Sequence, residues 1–259
     1  SLFNKLIGED RVIVSSLPHT TREPYDTVLS YKEKQGEKEV SHTVVLVDTA
    51  GIRRKNAIEG GTLESAGVRK SLAMMQRADI VLLVLDATEP YSAQDKQLAR
   101  LLEFKAKSVI ILLNKWDLIE TNEDSYRNEV KQMTYAHFPH LSFAPIIFVS
   151  GKTKYKVQQI MPAIIDAWRG RHVQIPDETL FDWMRSIKKT HKPSRGKGTR
   201  HPDIMSLRQT AVNPPIFEMV IKYRTSLHRS YIQFIENRLR ESFNFSASPV
   251  LIKLRKQKK

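Results

Sequence analysis

Four short apolar runs punctuate the first two thirds of the chain: HTVVLVD (42–48), DIVLLVLD (79–86), SVIILLN (108–114) and PIIFVS (145–150). Each is apolar on both faces of an extended strand, and each stops on Asp, Asn or Ser. Between and after them, apolar residues recur at three- and four-residue spacing over about 62–77, 92–105, 121–136 and 155–169, which predicts helices. Strands buried on both faces and alternating with helices predict a parallel sheet covered on both sides. The expectation is a doubly wound α/β domain that ends near Arg171, covering residues 1–171.

A short link, Arg171-His172-Val173-Gln174-Ile175-Pro176, then changes the rhythm. Residues 177–190 read as a helix, with Asp177 and Glu178 in the first turn and Lys188 and Lys189 in the last, as the helix dipole favours. A basic Gly- and Pro-containing loop follows at 191–203. Strand-like runs at 204–212 and 216–224 flank the turn Asn213-Pro214-Pro215, and a helix over about 228–243 and the strand SPVLIKLRK close the chain. The order α-β-β-α-β over residues 172–259 predicts a small α+β domain. Tyr223, Phe234 and Phe243 are expected in its core rather than as base-stacking platforms.

Charge sharpens this division. The 259 residues carry a formal net charge of +14, and residues 174–259 hold 18 Lys/Arg against 7 Asp/Glu. A one-sided positive field points to a polyanionic partner, here nucleic acid, with a merely solvated basic surface as the bland alternative. There is no cysteine, which removes disulfides, zinc-cysteine sites and thiol catalysis and suits a reducing cytoplasmic compartment. The longest apolar run falls far short of the roughly 20 residues that span a bilayer, so no membrane partner is expected.

Candidate chemistry gathers where the apolar runs end, since ligands of open α/β sheets sit outside the carboxyl ends of the strands. Asp48-Thr49-Ala50-Gly51 follows the first run: the carboxylate suits a Mg2+ water and the glycine a close backbone approach to a phosphate. As a helix cap, the same Asp48 would be structural. Asn114-Lys115-Trp116-Asp117 follows the third run. Asp117 is an acceptor-only carboxylate able to take two N–H donors from the edge of guanine, a pair that adenine lacks. An unpaired buried carboxylate is costly enough for one residue to set base choice. Asn114 can bridge base and loop, and the Lys115 stem can lie along the ring. Ser150-Gly151-Lys152 follows the fourth run, where backbone N–H groups could meet the guanine carbonyl; alone, it would pass for an ordinary loop.

These motifs, in this order, resemble those of translation-factor-class GTPases. With SLFNKLIGEDRVIVS, Pro18-His19-Thr20-Thr21-Arg22, DTAGIRRK (48–55), NPPIFEMVIKYR and SPVLIKLRK, the chain resembles over its whole length the Der (EngA) family of bacterial ribosome-assembly GTPases, in their second GTPase domain and C-terminal KH-like domain. The resemblance implies a P-loop GTPase-type sheet followed by a KH-like module. It places Thr20 and Thr21 in the first switch, where a threonine hydroxyl joins Mg2+ and senses the third phosphate; Thr21 is preferred, with Asp48, as a metal-site residue. The family's Gly-Thr-Thr-Arg-Asp reads His19-Thr20-Thr21-Arg22-Glu23 here. Ile52 stands where many GTPases carry a water-orienting glutamine and has no hydrogen-bonding group, so the resemblance implies a monovalent cation, K+, instead. Arg53-Arg54-Lys55 and Gly60-Gly61 fall in the second switch. The KH-like part lacks the Gly-x-x-Gly clamp, since Gly196-Lys197-Gly198 has another spacing. Arg195, Lys197, Arg200, Arg208, Arg229, Lys253, Arg255 and Lys256 are the candidates for RNA phosphate contact.

The phosphate loop G-x-x-x-x-G-K-[ST] does not occur in the 259 residues, nor does the strand expected before it. The preferred expectation is a fragment of a working GTPase, itself inactive or weak; the alternative is a non-hydrolysing rRNA-binding scaffold with a structural α/β domain. The expected ligands are GTP or GDP with Mg2+, and the expected partners are the large (50S) ribosomal subunit or its precursor and its rRNA, met by a monomeric protein.

Overall fold

Ten residues on either side of Gly36-Glu37 form a hairpin that the apolar runs alone do not predict. In the computed structural model, which describes residues 2–8, 12–14, 26–47, 75–89, 91–121, 123–193 and 201–257, strand β2 (Asp26–Gln35) pairs antiparallel with β3 (Lys38–Val47) from Gln35↔Lys38 to Asp26↔Val47. Gly36 has φ +63°, the left-handed conformation that a two-residue turn requires and that glycine adopts without a Cβ penalty. A short strand β1 (Val12–Val14) lies on the other edge of β2, after helix α1 (Leu2–Ile7). The run HTVVLVD thus enters an antiparallel sheet, and it is only half-buried, with Val45 44% exposed. Its neighbour in sequence, β2, is available through a tight turn, and no strand flanks β3 on its other side among the described residues.

The expected parallel sheet is built by the other three runs. Strands β4 (Ile80–Asp86), β5 (Ser108–Asn114) and β6 (Ile146–Phe148) lie in that order, with β5 and β6 parallel from Ile111↔Ile146 to Leu113↔Phe148. Helices α2 (Ala93–Phe104), α3 (Asp124–His137) and α4 (Ile160–His172) follow the strands in turn. Ile110, Ile111, Leu112 and Leu113 are completely buried, as a central strand apolar on both faces must be. Of the helix expected over 62–77, only residues 75–77 fall among those described, and they are helical.

Two compact units emerge: residues 1–98, 110–139 and 146–165, and residues 99–109, 140–145 and 166–259. In the second, helix α5 (Asp177–Thr190) leads to a sheet of order β7 (Ile204–Ala211), β8 (Ile216–Ile221), β9 (Leu251–Lys256), with helix α6 (Arg229–Ser242) before the last strand. This is the expected α-β-β-α-β order. β7 and β8 are antiparallel, β8 and β9 parallel. Alternate residues of β8, Phe217, Met219 and Ile221, join Leu180, Met184, Tyr231, Ile235 and Leu239 in one core, so both helices cover the same face of the sheet. Phe234 and Phe243 pack against that core as expected, whereas Tyr223 lies just past the end of β8, is 38% exposed and carries the Arg224 guanidinium over its ring. The Asn213-Pro214-Pro215 turn is held by Arg171, whose Nε donates to Asn213 Oδ1 at 2.6 Å and whose Nη1 donates to Ser108 Oγ at 3.1 Å. Gly170, on α4, lies so close to Ser246 that a Cβ would stand 2.6 Å from its carbonyl oxygen. Among the described residues no helix is long and apolar enough to cross a membrane.

Candidate nucleotide site and basic face

The end of β5 is shaped by one unusual backbone conformation. Lys115 follows Asn114 with φ 63°, left-handed and strained for a side-chain-bearing residue, and so turns the chain sharply into the 3-10 segment Trp116–Leu118. Trp116 is buried, its ring centroid 4.2 Å from that of Phe148, and its main-chain N–H donates to the Val149 carbonyl at 3.1 Å. It anchors the corner from behind, while Asn114, Lys115, Asp117, Leu118, Gly151 and Lys152 line a cleft of 240 Å³.

Two strand ends are tied together across this cleft. Gly151 N–H donates to Asn114 Oδ1 at 3.0 Å, and the Ser150 hydroxyl donates to Asp117 Oδ1 at 2.5 Å. Ser150 Oγ in turn accepts from the N–H groups of Lys152 (3.1 Å) and Thr153 (3.0 Å). The fully buried Ser150 is therefore a hub that fixes Asp117 through one neutral hydrogen bond to Oδ1, and among the described residues Oδ2 of that carboxylate takes no hydrogen bond. The geometry suits a ligand edge that presents donors to a fixed acceptor. It also gives the loop's N–H groups a task the sequence did not suggest: they hold the loop.

Lys115 brings in a residue that the sequence reading missed. Its ammonium pairs with Asp86 at the carboxyl end of β4, Nζ–Oδ2 2.5 Å, and Asp86 also accepts from the Thr88 hydroxyl at 2.7 Å and the Thr88 N–H at 3.0 Å. Burial raises the Asp86 carboxyl, but the hydrogen bonds from Lys115 and Thr88 outweigh it and hold the carboxyl below its ordinary range. The signal was present: DIVLLVLD ends on Asp just as HTVVLVD does, on the strand next to β5.

Among the described residues no cluster of three or more His, Cys, Asp or Glu could hold a metal ion. Thr20, Thr21, Asp48, Thr49, Ala50, Gly51 and Ile52, and with them the expected Mg2+ ligands, lie outside the described residues, as do Arg195, Lys197 and Arg200. In the second unit the structure brings Arg208, Lys253 and Arg255 together on the face of the sheet opposite the helices. Arg208 on β7 and Lys253 on β9 are the register partners of Glu218 on β8. Arg229 is elsewhere, at the start of α6 near Glu236, whose carboxyl is pushed up by burial and drawn down by Arg240 and Arg229. Lys256 is exposed at the end of β9.

Known protein families match successive parts of the chain. Residues 1–115 match the 50S ribosome-binding GTPase family, residues 68–169 the elongation factor Tu GTP binding domain, and residues 174–255 the C-terminal KH-domain-like region of EngA bacterial GTPase enzymes. GTPase Der of Caldanaerobacter subterraneus subsp. tengcongensis is 35% identical over 257 residues, 99% of this chain and 56% of that protein. GTPase Der of Fusobacterium nucleatum subsp. nucleatum is 36% identical over 97% of this chain and 55% of its own length, and that of Thermoanaerobacter pseudethanolicus 37% over 99% and 56%. The chain thus spans about half the length of the curated relatives it matches. Among solved structures, a probable GTP-binding protein engB superposes on 66% of this chain and 92% of its own at a TM-score of 0.39 and 14% identity. With sequence similarity that runs from the first helix to the last strand, the chain belongs to the Der (EngA) GTPase family.

Proposed function

We propose that the protein binds and hydrolyses GTP in the assembly of the large (50S) ribosomal subunit, and that nucleotide state controls how the basic KH-like domain docks on rRNA. The observation that carries this reading is the Asp117–Ser150 pair at the cleft: a carboxylate fixed by a neutral hydroxyl, with one oxygen free for the N–H donors of guanine. Adenine offers no such donor pair, so the same geometry excludes it. Asn114 braces the loop that closes the site, and the Lys115 stem forms one wall. The domains are taken as 1–171, the GTPase domain, and 172–259, the KH-like domain. In the whole protein, a phosphate loop supplies the N–H cradle and lysine for the phosphates, and Thr21 and Asp48 serve Mg2+. Since Ile52 cannot orient water, hydrolysis relies on K+ near the first switch. The proposed compartment is the cytoplasm.

The test is a titration with fluorescent GDP and ADP, in Mg2+ and K+, of this chain and of a longer polypeptide that carries a phosphate loop ahead of residue 1. GDP binding by the longer form at least tenfold tighter than ADP binding supports the reading. Failure of the longer form to bind either nucleotide overturns it in favour of an rRNA-binding scaffold with a structural α/β domain.

A further inference from the structure

On the outer face of the β7–β8–β9 sheet, one carboxylate is gripped by two arginines, with a lysine at the neighbouring register position. Glu218 Oε1 accepts from Arg208 Nη2 at 2.8 Å and from Nε at 3.2 Å, and Arg255 Nη1 lies 3.5 Å from Oε1 and 3.4 Å from Oε2. Lys253, the register partner of Glu218 on β9, stands on the same face. The next residues along β8, Phe217 and Met219, point into the core, so strand alternation obliges Glu218 to point away from it. Both guanidinium side chains remain about half exposed, at 52% and 50%, while Glu218 is 21% exposed beneath them.

Fold stability does not explain this arrangement. Ion pairs between exposed side chains contribute little, and a single arginine would already match the charge of Glu218. What the arrangement does is organise. Lys253 and Arg255 stand two residues apart on one strand, about 6.7 Å, and Arg208 lies two strands across, about 9.6 Å from β9. Glu218 holds the two guanidiniums over the sheet face, each still about half exposed, with Lys253 on the same face beside them. The carboxyl of Glu218 is held below its ordinary range, first by the Arg208 hydrogen bond, and so remains charged.

We propose that this sheet face is a phosphate-contact surface for RNA, and that Glu218 acts as a built-in stand-in for phosphate: it preorganises Arg208 and Arg255 and competes with the RNA backbone for them. This deepens the reading of the C-terminal domain as RNA-binding and rests on it. It also places contact on the sheet, in a domain without the Gly-x-x-Gly loop, and makes the contact one of charge, blind to sequence.

The experiment uses the 259-residue chain and a fluorescein-labelled mixed-sequence 20-nucleotide RNA, followed by anisotropy from 50 to 300 mM KCl. The variant R208Q/K253Q/R255Q is expected to bind at least tenfold more weakly. Its log-affinity against log-salt slope should be shallower by about 2, from three lost phosphate contacts at roughly 0.7 each. The variant E218Q is expected to bind about threefold more tightly, with a slope at least as steep as that of the unsubstituted chain. Arg208 and Arg255 are about half exposed and Lys253 is exposed, and the charge-keeping R208K/R255K, expected to retain most affinity, separates loss of charge from loss of fold. An unchanged triple variant places the RNA elsewhere and overturns the proposal, as does an E218Q chain that binds more weakly. Polyglutamate that competes for this face as well as RNA would assign it to an acidic protein and overturn it too. If the unsubstituted chain binds no RNA at all, the RNA-binding reading itself falls.

Discussion

Asp117, in the 3-10 turn that follows β5, and Glu218, in the middle of β8, are both carboxylates positioned by sheets, but a neutral hydroxyl faces the first and two guanidiniums the second. With the Ser150 hydroxyl on one oxygen, Asp117 has its second oxygen without a hydrogen bond among the described residues, and in the proposed function that oxygen discriminates by hydrogen-bond direction. Glu218 is outnumbered, and its surroundings can respond only to charge and distance. The difference teaches how one chain can hold a selective site and a permissive one: selectivity comes from a charge left unmatched in a fixed frame, permissiveness from charges in excess on an open face.

Both carboxylates depend on rigid strands, Glu218 as part of β8 and Asp117 through the turn anchored on β5, and the largest effects test that. Leu112→Ala in β5 is expected to lower unfolding stability by about 2–5 kcal/mol and Phe217→Ala, beside Glu218, by about 3–5 kcal/mol, both measured by urea denaturation. By contrast, Val84→Ala in β4, at a side chain 48% exposed, should cost under about 1 kcal/mol. If Leu112→Ala cost no more than Val84→Ala, the frame around Asp117 would not be rigid. Next, Asp117→Asn turns an acceptor pair into an amide that presents N–H to N–H. In a polypeptide with a phosphate loop it should weaken GDP binding by roughly 30- to 150-fold, or about 2–3 kcal/mol, while sparing ADP. Equal loss for both nucleotides would show that Asp117 does not read the base.

Ser150→Ala is a smaller break in the same frame. It removes the hydroxyl that fixes Asp117 and collects two loop N–H groups, and a cost near 1–2 kcal/mol in GDP affinity is expected, about 5- to 30-fold. Full retention would mean that Asp117 needs no neutral partner. Smallest of all is the Asp86–Lys115 pair. Because its carboxyl is held below the ordinary range, the stability Asp86 adds is present above about pH 4 and is lost as the pH falls through the folded value. Wild type should therefore lose more Tm than Asp86→Asn between pH 6 and pH 3; parallel curves would show that the pair contributes nothing.

Much of the corner was legible because it depends on local pattern. A run such as SVIILLN, apolar on both faces, can only be a covered strand, and polar residues at its end must meet whatever lies beyond the sheet. The partner of Lys115 was harder to see, because Asp86 meets it only when β4 and β5 lie side by side. The β2–β3 hairpin was missed although Gln35-Gly36-Glu37-Lys38 carries a turn glycine, because YDTVLSYKEKQ alternates too weakly to read as a strand. Arg208 and Arg255 were legible as charge but not as a cluster, since the register that sets them around Glu218 includes shifts near Ser206 and Ala211. Tyr223 looked like a core residue by alternation, but the strand stops at Ile221, and beyond a strand alternation has no meaning.

The left-handed backbone at Lys115 has a consequence for how this segment tolerates change. Glycine would relax the bend at a gain of about 1 kcal/mol, so selection for thermal robustness alone would favour Lys115→Gly. That variant would lose the ammonium that meets Asp86 and the stem that walls the cleft. A library screened for heat resistance and one screened for nucleotide retention should thus diverge at this codon, the first towards glycine and the second towards lysine.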